Sequence, residues 1–141
     1  MITYIDTSTL IKLVVEEPGS DLAARLWETA DVLASVRLIE VEARAALAAA
    51  LRAGRLTAAR HRRAVKTLTE LLSQLDLIEV TAELIGVAGR LAETHALRGY
   101  DAVHLAGGLI VGADVISSAN TALCEAAIAE GLHAANPLWA T

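Results

Sequence analysis

The chain of 141 residues reads as an α/β protein with a mostly parallel sheet covered by helices on both faces. Short apolar runs of strand length alternate with longer stretches of helical periodicity, the order that builds such a sheet. Turn and cap residues, among them Pro18-Gly19-Ser20, Gly54 and Gly131, punctuate the runs. A third observation says where such a sheet would work. Acids stand beside the ends of apolar runs, and open α/β sheets bind ligands in the crevice outside the carboxyl ends of their strands.

The first predicted strand, Ile2 to Ile5, ends at Asp6, and Thr7-Ser8-Thr9 follow with hydroxyls before a second apolar stretch. Asp6 is also a residue type that caps helices. After the turn at Pro18-Gly19, Ser20 caps a helix to Thr29, and a strand runs from Val32 to Ser35. A helix from Leu38 to Ala53 stops at Gly54, a typical C-terminal breaker. Helix Thr57 to Gln74, strand Leu77 to Val80 and helix Thr81 to His95 come next. Helix Asp101 to Gly112, strand Asp114 to Ser117 and helix Asn120 to Glu130 complete the series, with Gly131 as the last stop. Gly86, Gly89, Gly107 and Gly108 sit inside helices at a propensity cost, which predicts close packing there. No repeat, linker or low-complexity segment divides the chain, so one domain is expected over residues 1–141.

A hydrophobic content of 55% at this length supports one substantial core. The single cysteine, Cys124, stands among alanines and leucine and reads as a small core residue, which suits a reducing cytoplasm. The longest uncharged stretch is too short to span a bilayer, and the N-terminus lacks the basic start of a signal peptide. A net charge of -5 argues against a protein that coats nucleic acid generally. The charge is uneven, however: from Ala43 to Thr69 there is no acid, while seven of the twelve basic residues lie there, a surface suited to guiding phosphates. Aromatic residues are few and scattered, so base stacking on a platform is not expected.

Four positions carry candidate chemistry. Asp6 ends the first strand, and Asp101 opens a helix in Gly99-Tyr100-Asp101-Ala102-Val103-His104. Glu42 is separated from Glu40 by helical arithmetic. Glu40 has Arg37 at i-3 and Arg44 at i+4, whereas Glu42 has Leu38, Ile39, Ala45 and Ala46, which leaves its carboxylate without a local ionic partner. Such an acid is costly to bury unless a metal or hydrogen bonds compensate it. Asn120 follows the last core strand and can cap the helix after it.

At these residues the chain resembles the PIN-domain ribonucleases, most closely the VapC-type toxins of prokaryotic toxin-antitoxin pairs. Tyr4-Ile5-Asp6-Thr7-Ser8-Thr9-Leu10-Ile11-Lys12-Leu13 is similar to the family's first motif, Glu16-Glu17-Pro18-Gly19-Ser20 to its usual sequel and Val41-Glu42-Ala43-Arg44-Ala45-Ala46-Leu47 to its second. Tyr100-Asp101-Ala102-Val103-His104-Leu105-Ala106 is similar to the third, and Gly112-Ala113-Asp114 through Ser118-Ala119-Asn120 to the strand and acidic corner that follow. The resemblance implies a three-layer α/β/α PIN-like domain whose acids, Asp6, Glu42 and Asp101, bind Mg2+ or Mn2+. It implies hydrolysis of RNA, tRNA or rRNA being the expected substrates, together with a VapB-like antitoxin partner and a toxin homodimer. Where the family commonly has a fourth Asp, this chain has Asn120, which makes a neutral ligand or hydrogen-bonding neighbour of that position. A divalent ion both activates water and neutralises charge, so two or three carboxylates suffice. Thr7 or Ser8 is expected to bond a carboxylate or the scissile phosphate. His104 is read as structural, because this chemistry needs no histidine.

Other classes fit less well. A receiver domain needs a late lysine, and Lys66 is the last; a phosphatase of the two-aspartate type needs an acid at position 8, which is Ser8. Nucleotide-binding glycine motifs are absent. The alternative that stands is a non-catalytic PIN-like module that binds RNA or protein.

Overall fold

A computed structural model of the chain describes residues 1–139. Five strands, β1 (Ile2–Ile5), β2 (Val32–Val36), β3 (Asp76–Ile78), β4 (Val115–Ser117) and β5 (His133–Ala135), form one sheet in the order β3-β2-β1-β4-β5. Every pairing in it is parallel, with Tyr4 opposite Ala34 on one side and Ile116 on the other. Seven helices are described: α1 (Thr7–Val14), α2 (Ser20–Thr29), α3 (Leu38–Arg52), α4 (Ala58–Leu72), α5 (Ala82–His95), α6 (Gly99–Ile110) and α7 (Thr121–Ala129).

Strand alternation divides the core. Successive side chains of a strand point to opposite faces, so Tyr4 joins Val36, Ile116 and the apolar faces of α5, α6 and α7, while Ile5 joins Leu10 and the apolar faces of α3 and α4. The result is three layers, helix on sheet on helix. The strand order reverses beside β1, so the carboxyl ends of β1 and β4 frame the crevice where doubly wound sheets take ligands.

Several boundaries differ from the sequence reading. β3 is shifted toward the N-terminus, spanning Asp76–Ile78 rather than Leu77 to Val80. α6 begins at Gly99, two residues before Asp101, so Asp101 lies within the first turn instead of opening the helix. There its charge meets the positive end of the helix dipole. α1 and β5 were not expected from the sequence: eight and three residues give periodicity little room to register. Gly107 does pack closely, since a β-carbon there would lie 2.7 Å from Val36 Cγ1 and 2.9 Å from the Tyr4 hydroxyl. Gly86 and Gly89 do not; both are exposed with open space beside them. Gly54 and Gly131 adopt the left-handed conformation that ends α3 and α7 as expected. No helix is long and apolar enough to cross a membrane among the described residues.

Candidate active site

Asp6 emerges where β1 passes into α1. It has the backbone of an N-cap, with Thr9 and Leu10 amides bonded to its carbonyl, but its side chain caps nothing. The carboxylate turns instead toward β4. Oδ2 accepts from Ser8 Oγ and from Ser118 Oγ, both at 2.7 Å. Each serine is itself oriented by a backbone amide, Ala119 N–H donating to Ser8 Oγ and Asn120 N–H to Ser118 Oγ. Asp6 is thus 6% exposed with Oδ2 doubly hydrogen-bonded, since a buried carboxylate needs such partners.

Glu42 reaches the same crevice from α3. Oε1 accepts from Thr7 Oγ1 at 2.9 Å and faces His104 Nε2 at 2.7 Å. The sequence reading found no partner for Glu42 because helical spacing sees only its own helix; both partners come from other elements, 35 and 62 residues away. Glu42 remains 22% exposed at its side chain. Glu40 does pair with Arg44, at 3.7 Å, on the solvent side. Its other expected partner, Arg37, turns away and bonds Glu79 across the strand ends.

His104 is the residue whose placement sequence reasoning missed. It lies on α6 three residues after Asp101, hence on the same helical face, and its side chain is 1% exposed. Nε2 stands 3.4 Å from Asp6 Oδ1 as well as 2.7 Å from Glu42, and Nδ1 is 2.8 Å from the Tyr4 hydroxyl. Burial disfavours the imidazolium, but the bond to Glu42 and the charges of Asp6, Glu42 and Asp101 outweigh it and hold the histidine above its ordinary pKa. Burial likewise pushes the Tyr4 phenol well up. The i+3 spacing from Asp101 was the available signal.

Asp101 and Asn120 form the outer part. Asp101 Oδ2 accepts from Asn120 Nδ2 and from Arg98 Nε, each at 3.2 Å. Asn120 caps α7, its Oδ1 accepting from Leu123 N–H at 3.1 Å, so one amide both caps the helix and touches the acid. Cys124 is buried, its thiol pushed up to about 11 by burial, and it donates to the Ser118 carbonyl. It braces the β4–α7 corner and is not poised for reaction.

At the reversal of strand order Asp6 and Glu42 therefore face the same histidine, and Asp101 pairs with Asn120. Among the described residues, no group of three or more His, Cys, Asp and Glu side chains is gathered closely enough to hold a metal ion as it stands. The donor chemistry nonetheless fits magnesium, which takes hard oxygens, keeps several waters and needs only one or two protein carboxylates.

Residues 3–129 match the family described as PIN domain. The chain belongs to the PIN-domain family. Over 111 residues, 79% of this PIN domain and 77% of its relative, it is 44% identical to Ribonuclease VapC49 of Mycobacterium tuberculosis. In fold it is similar to the crystal structure of M. tuberculosis VapC20, a sarcin-ricin loop cleaving toxin, with a TM-score of 0.68 at 19% identity over 92% of this chain and 95% of that one. It is also similar to VapBC2 from Rickettsia felis bound to a promoter DNA fragment, with a TM-score of 0.67 at 15% identity over 96% and 98% of the two chains. At those identities the likeness is one of fold.

Proposed function

We propose that this chain is a metal-dependent endoribonuclease, the toxin component of a type II toxin-antitoxin pair, acting in the cytoplasm on tRNA or rRNA. The reading is supported by a PIN domain 44% identical over 111 residues to a VapC ribonuclease, in which Asp6 and Glu42 face one histidine of the helix that also bears Asp101. Asp6 and Asp101 would hold the ion, with Glu42 as a further ligand or as the group that orients the attacking water. When bound, Mg2+ or Mn2+ supplies an activated water and neutralises the charge that develops on the phosphodiester.

The remaining work belongs to the chain itself. Ser8 and Ser118 fix the Asp6 carboxylate before substrate arrives, and Thr7 does the same for Glu42. Such preorganisation spares the site a reorganisation cost at the moment of reaction. Asn120 keeps Asp101 in place without adding a fourth negative charge. A cleft of about 350 Å³ lined in part by Arg55, Arg60 and Arg63 presents cations for a phosphate backbone or an acidic partner. A VapB-like antitoxin and a toxin homodimer complete the proposed assembly.

The test is incubation of purified protein with a panel of tRNA and rRNA in Mg2+, Mn2+ or EDTA. Cleavage of a subset of RNAs with either metal and none in EDTA is expected. Undiminished cleavage in EDTA would contradict the metal-dependent reading. Asn120, neutral where the family resemblance implies an acid, favours one second reading, a non-catalytic binding module. RNA binding without cleavage in any metal would support it.

A further inference from the structure

We propose that Tyr4 and His104 form a buried positioning pair that sets where the Asp6 and Glu42 carboxylates stand, and through them how tightly the site takes a divalent cation. The inference rests on the metal-site reading above and assigns two residues to it. Nε2 of His104 faces Glu42 Oε1 at 2.7 Å and Asp6 Oδ1 at 3.4 Å, and the Thr7 hydroxyl, also at 3.4 Å, gives its own proton to Glu42. Carboxylates accept and do not donate, so Nε2 carries a proton and points it into the gap between the two acids. The other ring nitrogen meets the Tyr4 hydroxyl at 2.8 Å. A histidine with both nitrogens held cannot flip or swing, and a buried tyrosine hydroxyl itself requires a partner.

The seat of this pair is built from several elements. Tyr4 lies on β1 two residues before Asp6, so the strand that leads into the acid carries the anchor of the imidazole that faces it. His104 lies on α6 with Asp101, so the ring ties the inner acids to the helix bearing the outer one. One turn further along α6, Gly107 leaves the space that the phenol fills, and any β-carbon there would meet the Tyr4 hydroxyl at 2.9 Å. A histidine serving merely as core filler would need neither the missing side chain nor two acids at one nitrogen. Partners that orient ligating groups in this way tune metal affinity as strongly as many ligands do.

Mn2+ affinity, measured by calorimetry and by the electron paramagnetic resonance of free Mn2+, tests the pair alongside melting and RNA cleavage. His104→Leu is expected to weaken Mn2+ binding about tenfold to a hundredfold. His104→Gln, whose amide can present an N–H near the place of Nε2, is expected to recover most of that loss. Tyr4→Phe, which keeps the ring and removes the anchor, is expected to weaken binding several-fold with little change in melting. If His104→Leu fails to fold, Tyr4→Phe carries the test. Wild-type Mn2+ affinity in a folded His104→Leu or in Tyr4→Phe overturns the pairing and leaves the metal site standing. A wild type that neither binds Mn2+ nor cleaves RNA overturns the site reading and the pair with it.

Discussion

The two halves of the acidic crevice are held in different ways. On the inner side, Asp6 and Glu42 are gripped by short bonds from Ser8, Ser118, Thr7 and His104, donors that come from α1, α6 and the corner after β4. On the outer side, Asp101 has two longer bonds, one from a capping amide and one from Arg98, whose side chain is 84% exposed. The difference teaches that equal charges can serve unequal ends. The inner acids are fixed by short bonds from donors that the fold supplies, as the buried Asp6 requires. Asp101, 15% exposed at its side chain and so between Asp6 and Glu42, instead has an exposed arginine as its ionic partner, and such pairs are worth little.

Neutralising each half should separate stability from chemistry most sharply. Asp6→Asn forces an amide into a site built from donors, so the apo protein is expected to lose about 1–3 kcal/mol through mismatched hydrogen bonding. Asp101→Asn can still accept from Asn120 and Arg98, and its melting temperature is expected to stay close to wild type. Both should cut cleavage by at least about a hundredfold, because each removes charge that a divalent ion needs. Equal stability costs from the two variants would erase the distinction between the halves.

The next effect concerns the outer half alone. Asn120→Asp keeps the helix cap but replaces the amide donor to Asp101 with a second carboxylate. The apo protein is expected to lose on the order of 0.5–1 kcal/mol from like-charge repulsion. Mn2+ should bind more tightly and restore more stability than in wild type, by linkage. Thermal melts with and without Mn2+ read both signs. A variant that is simply destabilised under all conditions would put Asn120 outside the metal's reach.

Smaller still are the surface pairs. Glu40→Gln breaks an exposed i,i+4 contact with Arg44 and should cost about 0.5 kcal/mol or less, with cleavage nearly unchanged. Arg98→Ala should cost no more, about 0–0.5 kcal/mol on the same scale. A large loss of cleavage in Glu40→Gln, with Glu42→Gln remaining active, would reverse the assignment of the second acid.

Much of the site was legible because its acids stand at boundaries between periodic segments. Asp6 ends a four-residue strand, and Asn120 follows another at the start of a helix; alternation and capping preferences find such positions. Glu42 was separable from Glu40 by phase along one helix, although the partners that make it tolerable were invisible. Tyr4, Ser118 and His104 were missed as contributors for the same reason. Their bonds join residues 62 to 112 positions apart, and no local periodicity encodes them. Gly107 was read as a packing residue without its occupant, since the phenol that fills its space comes from β1. β5, with one exposed and two half-buried residues, offered no pattern to read.

The central claim is that the carboxylate fixed by Ser8 and Ser118 carries metal-dependent cleavage. The most direct measurement is single-turnover cleavage of a labelled RNA substrate by wild type and by Asp6→Asn at the same saturating Mg2+ or Mn2+ concentration, with circular dichroism confirming that both are folded. Wild-type cleavage that stops in EDTA, with at least about a hundredfold less from folded Asp6→Asn, is the expected result. Cleavage by Asp6→Asn at the wild-type rate would contradict it.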